Sequence, residues 1–327
     1  MINRQGENNR QNAGPKWFNS PLSIFEDRTL GEIRSLIPEF ERRPGLAMNG
    51  ANNENVKVNN RLHTIIRKPF HKDNDYIPIG VVSKDYSLVQ HSTVFDIAKK
   101  AIEDSGIDTQ DIKSALRITE YGERMHLSCF LPDKYSFDPG DGNKMALRLE
   151  CFNSVEGSTR FRVHMGWFRF VCSNGLVIGV TRFDFRRRHL GDIRLDDVGY
   201  ILSDGIKDSE REKENFIKWR KSAIKPDRLK EWVKDSIQKE WGFKIATRVY
   251  HIAQSGYDVE IAGTYKGRTP FDIPTAITNR VPGCPKKVDN LFDLSQVLAW
   301  LAKERRDVQE QLEMVEKIPE LLKPLLN

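Results

Sequence analysis

The chain has 327 residues, a formal net charge of +6 and hydrophobic residues at 39% of its positions. This composition is typical of a globular protein with a sizeable core, and no apolar run approaches the roughly 18 residues that a membrane span needs. The first twenty residues lack the apolar stretch of a secretory signal, and the four cysteines form no C-x-x-C pair, which disfavours a disulfide scaffold or a zinc module. We therefore expect a cytoplasmic protein.

The N-terminal 60 residues are polar. Residues 1–20 and 49–60 are rich in asparagine and predict a disordered arm and a loop or linker. Between them, residues 30–40 form a short amphipathic segment that predicts a helix. We expect residues 1–60 to be a partly disordered arm that contains this helix.

A β-rich segment and a helix follow. Residues 79–90 predict two short strands around a turn, or one bent strand. Apolar residues then recur at helical spacing over residues 94–102. Thr93 and Asp96 resemble a capping box, and Gly106 has the residue type that terminates a helix.

Four further strands are predicted by alternation of polar and apolar residues. A hairpin covers residues 115–131, and two more strands cover residues 145–153 and 159–171. The predicted fold class is therefore α+β, with an antiparallel β-meander and a covering helix over residues 61–202.

The last third of the chain predicts mainly helices. Residues 203–215 are charged and weakly apolar, and they predict a link that opens a helical C-terminal region at residues 203–327. The final helix is predicted as one segment over residues 294–317. Its amphipathic pattern makes it a candidate for self-association, and we expect a homo-oligomer.

The positive charge is concentrated in one segment. Residues 144–194 carry ten basic and four acidic side chains, so this segment accounts for the whole net charge. Nine of the ten are arginine, whose planar guanidinium binds phosphate in bidentate fashion. The strand pattern places Arg160, Arg162 and His164 on one face, which we expect to be exposed to solvent. Such a row of cations suits a nucleic-acid backbone, and ordinary solvent-facing alternation is the alternative.

Residues 182–188 interleave arginine with phenylalanine. Arginine neutralises phosphate, and aromatic rings stack on bases at about 1–3 kcal/mol each. The alternative is a solvated loop whose phenylalanines fill the core. The candidate nucleic-acid-binding residues are Arg148, Arg160, Arg162, Arg169, Arg182, Phe183, Phe185, Arg186, Arg187 and Arg188.

No catalytic or cofactor motif accompanies these residues. The sequence has no glycine-rich nucleotide loop, and its seven histidines form no metal-binding motif. Residues 138–143 are rich in Asp and Gly but lack the EF-hand spacing, so they predict a plain hairpin loop. We expect no cofactor, no metal and no enzymatic activity.

Three segments resemble a known family. Residues 81–91 (VVSKDYSLVQH) resemble the N-terminal motif of the phage/plasmid-like family known only as a domain of unknown function. Residues 170–176 (FVCSNGL) resemble its VCxN signature, and residues 270–279 (PFDIPTAITN) resemble its late NAxT motif. The resemblance implies a bacteriophage or mobile-element protein and assigns no reaction.

The predicted architecture is also similar to the core of Rad-type single-strand annealing proteins, by fold-level analogy. That likeness implies rings or filaments that hold single-stranded DNA in a basic groove. We therefore expect a phage- or plasmid-type single-stranded DNA-binding protein that promotes strand annealing in recombination. Two alternatives stay open: an interaction protein that inhibits a host defence system, and a metal-dependent nuclease.

Overall fold

A computed structural model describes residues 22–45, 59–71, 73–159, 161–169, 177–180, 196–305 and 308–326. Over these ranges the chain forms antiparallel sheets and a mainly helical C-terminal part, which confirms the predicted α+β class. The predicted disordered arm at residues 1–20 and most of the asparagine-rich segment at 49–60 lie outside the described residues.

The N-terminal part contributes one strand to the central sheet and a small sheet of its own. Its elements are β1 (Leu22–Arg28), α1 (Leu30–Ser35), β2 (Phe40–Pro44), β3 (Leu62–Arg67) and β4 (Ile77–Ser83). The predicted helix is α1, which starts at a capping box formed by Thr29 and Glu32. Strands β2, β3 and β4 form a three-stranded antiparallel sheet.

The central sheet is the predicted meander, extended at both edges. Its elements are α2 (His91–Asp104), β5 (Lys113–Thr119), β6 (Arg124–Phe130), β7 (Ser136–Phe137), β8 (Met145–Ser154), β9 (Arg162–Arg169) and β10 (Val177–Val180). The strand order is β1-β5-β6-β8-β9-β10, with β7 paired to β8. Each pair is antiparallel.

Helix α2 begins at His91, earlier than the predicted capping box at Thr93. The helix starts here because the His91 side chain is buried and hydrogen-bonded. The His91 ring is fully buried, accepts a hydrogen bond at Nδ1 from Asn153 Nδ2 at 2.9 Å, and donates from Nε2 to the Gly122 carbonyl at 2.7 Å. The helix start is therefore fixed by contacts with β8 and the β5–β6 turn, and a capping box at Thr93 is wrong.

One face of the central sheet packs on the helices. Leu127, Leu149 and Trp167 lie on this face, in one apolar core with α2 and the C-terminal helices. Complete burial of each such side chain contributes about 1.5–3 kcal/mol. The Trp167 Nε1–H donates to the Ser209 carbonyl at 3.1 Å, which joins β9 to the C-terminal part.

The C-terminal elements are α3 (Asp196–Lys221), α4 (Pro226–Trp232), α5 (Gln238–Trp241), α6 (Phe243–Ser255), β11 (Tyr257–Ile261), β12 (Thr275–Arg280), α7 (Leu291–Lys303) and α8 (Val308–Leu322). A π-helical turn at Val233–Ile237 joins α4 to α5. None of the helices in the described ranges combines the length and apolarity that a bilayer crossing requires.

Two predicted features of this part are wrong. Residues 203–215 are not a link but the middle of α3, where opposite charges such as Asp208 and Arg211 lie three residues apart on an exposed face. The predicted long final helix is two helices, because α7 ends at Lys303 and α8 begins at Val308.

Strands β11 and β12 form a hairpin that starts from Gly256. This glycine has φ of 74°, and a Cβ at this position would lie 2.6 Å from the Pro285 carbonyl oxygen. The chain after β12 returns to the same place, where the Val281 amide donates to the Gly256 carbonyl at 2.9 Å. Both the backbone conformation and the close approach require glycine here.

Replacement of Gly256 by alanine should lower the melting temperature more than replacement of Gly267. Gly267 has a similar φ of 72° with no atom within 4 Å of the added Cβ, so G267A carries only the cost of a left-handed alanine, about 1–2 kcal/mol. Thermal unfolding followed by circular dichroism measures both. Equal shifts would show that the contact with Pro285 is unimportant.

A partly buried glutamate on α3, Glu212, has one carboxyl oxygen, Oε2, that is screened from solvent, and it should make stability depend on pH. Burial, with a smaller effect of Asp208, raises the pKa of Glu212 from 4.5 to about 8. The folded protein therefore holds this proton at neutral pH. The stability that the protonated carboxyl contributes is present below pH 4.5 and is lost as the pH rises through 8.

Between these limits, E212Q should become increasingly more stable than the wild type, because glutamine does not ionise. The melting temperatures of the two proteins should agree near pH 4.5 and diverge up to pH 8. The matched control is E214Q, at an exposed position of the same helix. If the difference between E212Q and wild type is constant with pH, Glu212 is not buried in this way.

Candidate nucleic-acid interface

The second face of the central sheet carries polar and charged side chains on four adjacent strands. In register across the sheet, Ser128 lies opposite Glu150 and Glu150 opposite His164. The residues of this polar face are Arg117, His126, Ser128, Arg148, Glu150, Arg162 and His164. The structure therefore brings the predicted residues Arg148 and Arg162 together on one side of the sheet.

This polar face is buried, and the expectation that it is exposed to solvent is wrong. Arg148 is 2% exposed, Arg162 1% and His164 1%. Alternation along a strand determines which side chains share a face, but it does not determine whether that face is covered. Here both faces of β8 and β9 are buried along their whole lengths.

Glu150 is the centre of the polar face. Its carboxylate accepts hydrogen bonds from His126 Nε2 and, at 2.7 Å, from Ser128 Oγ, and it forms an ion pair with Arg148. The Arg148 guanidinium also lies 4.3 Å from the centre of the Phe168 ring. The buried cation is thus neutralised and packed within the sheet, as buried charges must be.

Burial also determines the protonation of His126. Desolvation, then the nearby Arg117, Arg148 and His164, lower the pKa of His126 well below 6.5. The imidazole is therefore neutral at pH 7 and donates its Nε2–H to Glu150. Burial, followed by the effect of Arg117, also lowers the pKa of Arg148.

Arg169 lies apart from this group, at the other end of β9. It is 4% exposed and pairs with Asp141, in the loop predicted over residues 138–143. This loop therefore supplies a carboxylate to the sheet. Within the ranges that the structure covers, no three His, Cys, Asp or Glu side chains are grouped as metal ligands.

The remaining candidate residues lie outside the described part of the chain. They are Arg160, Arg182, Phe183, Phe185, Arg186, Arg187 and Arg188. Their role in nucleic-acid binding stays a prediction.

Exposed aromatic and basic residues occur together elsewhere, on the β11–β12 hairpin. Tyr257 is 38% exposed and Tyr265 is 41% exposed. We define the hairpin surface as Lys244, Tyr257, Tyr265, Lys266, Arg268 and Arg280. Each of its four cations is on an exposed residue.

Each tyrosine of the hairpin surface has a cation beside its ring. Arg280 Cζ lies 5.5 Å from the centre of the Tyr257 ring, and Lys244 Nζ lies 5.9 Å from that of Tyr265. Tyr257 follows the last turn of α6, whereas Tyr265 packs edge-on against Phe243 in its first turn. The two pairs are therefore separated by the length of α6, about 20 Å at 1.5 Å per residue.

The cations of the hairpin surface are not neutralised by the protein. None of the four forms an ion pair with a carboxylate in the described ranges. The nearby Asp258 is buried and accepts from Arg248 Nε at 2.8 Å, and Arg248 also pairs with Glu304. The hairpin surface therefore presents cations that form no ion pair in the described ranges, next to exposed rings.

Residues 78–264 match the family described as "Domain of unknown function (DUF932)". The match covers more than half of the chain. The chain belongs to this family. The resemblance at residues 81–91 and 170–176 is thereby confirmed at the level of the family. No curated protein and no solved structure matches the chain.

The family match ends in the loop of the hairpin, before β12. The sequence did not single out this surface, because its local excess of basic over acidic residues is smaller than that of residues 144–194. The run Tyr265-Lys266-Gly267-Arg268 has the same aromatic and basic interleaving as residues 182–188. Applied along the whole chain, that criterion finds the hairpin.

Removal of the Glu150 charge should strongly destabilise the protein. E150Q leaves Arg148 buried without this carboxylate, which costs about 3–5 kcal/mol. The matched control is E26Q, because Glu26 pairs with Arg117 at 3.5 Å but is exposed, so its loss costs at most about 1 kcal/mol. Urea denaturation measures both.

The double variant R148M/E150L distinguishes the effect of an unpaired buried charge on stability from the effect of altered packing. It removes both ions and should recover part of the stability lost in E150Q. If E150Q costs no more than E26Q, Glu150 is not the centre of the polar face.

Proposed function

We propose that this protein binds single-stranded nucleic acid through the hairpin surface, as a phage- or plasmid-type single-stranded DNA-binding protein that acts in strand annealing. The observation that carries the proposal is the pairing of exposed tyrosine rings with cations that have no carboxylate partner in the described ranges. This combination is what a strand of unpaired nucleotides requires.

The physical basis has two parts. Lysine and arginine that neutralise phosphates release condensed counterions, which favours binding at low salt. Exposed rings stack on bases at about 1–3 kcal/mol each, and only unpaired bases can present a face to them. Cations alone would bind the phosphates of a duplex as well as those of a single strand. The exposed tyrosines should therefore be what raises the affinity for the single strand.

The buried polar face supports a different role for the predicted arginines Arg148 and Arg162. Both lie inside the fold, and Arg148 is paired with Glu150. A nucleic acid reaches them only if the polar face opens. In the folded state the Arg148 guanidinium lies over the rings of Phe130 on β6 and Phe168 on β9, so it contributes to packing within the sheet.

The direct test is a salt titration of binding to fluorescent oligonucleotides, single-stranded and duplex, followed by anisotropy. Affinity for the single strand should exceed that for the duplex and should fall steeply with salt, with a slope of about −0.7 per phosphate neutralised. Annealing of complementary strands is measured separately by fluorescence quenching. Failure to bind any oligonucleotide at low salt would contradict the proposal.

The triple variant K266A/R268A/R280A should weaken single-strand binding and reduce the salt slope by about 2, since three phosphate contacts are lost. The matched control K225A/K230A/K234A removes the same charge from exposed residues on and beside α4. It should leave the slope nearly unchanged. Equal losses in both triple variants would show that net charge, and not the hairpin surface, determines the affinity.

The variant R186A/R187A/R188A, in the same titration, tests the prediction made from the sequence. A loss of affinity here, with the hairpin triple variant unaffected, would move the interface to residues 182–188. Losses in both would show that both segments contribute to binding.

A further inference from the structure

A loop beside the hairpin carries two lysines that the hairpin surface does not include. We define the lysine loop as residues 281–288, which follow β12 and contain Lys286 and Lys287. Both lysines are exposed, and neither forms an ion pair with a carboxylate in the described ranges. The loop therefore adds two exposed cations next to the hairpin, beyond residue 264, where the family match ends.

Backbone hydrogen bonds hold both ends of the lysine loop against the start of the hairpin. The Val281 amide donates to the Gly256 carbonyl at 2.9 Å, and the Val288 amide donates to the Ala253 carbonyl at 2.8 Å. Two prolines within the loop further restrict its backbone. The backbone that carries the two lysines is therefore fixed before a ligand binds, which reduces the entropy lost on binding.

The lysine loop lies next to the exposed ring of Tyr257. A Cβ built on Gly256, the residue before this tyrosine, would lie 3.6 Å from Lys286 Cα. Arg280 is paired with Tyr257 across the hairpin, and its Nη2 donates to the Cys284 carbonyl of the loop at 3.2 Å. The same guanidinium carbon lies 5.5 Å from the centre of the tyrosine ring. One arginine and two lysines therefore lie at the same end of the hairpin as one exposed ring.

The carboxylates near this end of the hairpin do not neutralise its cations. Asp258 is buried and accepts from Arg248 Nε at 2.8 Å. Asp289 accepts from Asn290 Nδ2 at 2.8 Å and forms no ion pair in the part of the chain that the structure describes. Residues 280–289 contain three cations and one carboxylate, and three minus one is a net charge of +2. The cluster is therefore suited to an anion.

We propose that Tyr257, Arg280 and the lysine loop together bind one nucleotide of a single strand with both of its flanking phosphates. The tyrosine ring stacks on the base. Arg280, held beside the ring by the Cys284 carbonyl, binds one phosphate in the manner of a planar guanidinium, and the two lysines bind the next as point charges. A nucleotide within a duplex does not fit, because only an unpaired base presents a face to the ring.

This inference rests on the proposed function and adds residues that the hairpin surface does not contain. Helix α6 separates Tyr257 from Tyr265 by about 20 Å, so the two rings bind different nucleotides. The lysine loop should therefore act together with Tyr257 and independently of Tyr265.

The first test is K286A/K287A in a salt titration with a single-stranded fluorescent thymidine oligonucleotide. The variant should reduce the salt slope by about 1.4, which is two contacts at about 0.7 each, and lower the affinity about twentyfold at about 0.1 M salt. The matched control K230A/K234A removes the same charge from exposed residues of α4 and the turn that follows it. It should leave the slope and the affinity nearly unchanged.

The second test measures coupling between the lysine loop and each ring. K286A/K287A is combined with Y257S and, as the matched background, with Y265S. The loss of affinity caused by K286A/K287A should be about threefold smaller in Y257S than in Y265S, because groups that contact one nucleotide are coupled and distant groups are additive. All substituted side chains are on residues with exposed surface, so melting temperatures should show folded protein in every case.

The outcomes separate the two proposals. If wild type binds no oligonucleotide, the proposed function and this inference both fail. If wild type binds and K266A/R268A/R280A weakens binding, but K286A/K287A behaves like K230A/K234A, the lysine loop is not part of the site and the proposed function stands. Equal losses in the Y257S and Y265S backgrounds would show that the loop contributes charge alone, and the one-nucleotide site would be wrong.

Discussion

The carboxylate of Glu150 is the interaction on which the central sheet depends. An ion moved from water into a protein interior costs several kcal/mol, and the sheet places arginines and histidines on its buried polar face. Glu150 offsets this cost by accepting hydrogen bonds from His126 and Ser128 on β6 and by forming an ion pair with Arg148 on its own strand, β8. The register of β6 against β8 follows from this contact as well as from the apolar core on the other face, because a shift by one residue would separate Glu150 from His126 and Ser128.

The same residue type has two different roles in this molecule. Arg148 and Arg169 lie inside the fold, paired with Glu150 and Asp141, where they act as structural cations. Arg268 and Arg280 lie on the hairpin with no carboxylate partner in the described ranges, where their field extends into solvent. Local composition does not distinguish the two cases. What matters for an anionic partner is the absence of a counter-charge within the protein.

Much of the fold could be predicted because its periodicities are strong. Helix α2, the order of the meander strands and the faces of β8 all follow from spacing alone. Burial of the polar face could not be predicted, since period 2 is the same for a covered and an uncovered sheet. The helix over residues 203–215 was missed because few apolar residues mark it, although its opposite charges at spacing 3 are compatible with a helix.

Of the candidate site, only the residue types could be predicted from the sequence. The sequence indicated arginine interleaved with aromatic rings, and the hairpin carries tyrosines with lysine and arginine in that arrangement. The run at residues 265–268 can be found in the sequence, but its place in the folded structure was not predictable. Gly256 permits a sharp reversal after α6 that depends on a close approach to Pro285, almost thirty residues further along the chain.

Helix α3 joins the two parts of the molecule mechanically. Its 26 residues span about 39 Å. The Ser209 carbonyl accepts from Trp167 of the sheet, and Arg220, in the last turn of the helix, binds Asp293 on α7 at 2.8 Å. A force applied to α7 is therefore transmitted through Arg220 and along α3 to the contact between Ser209 and Trp167 on β9. The central sheet and the C-terminal helices should consequently respond to load together, because Trp167, Phe216 and Phe292 also belong to one apolar core.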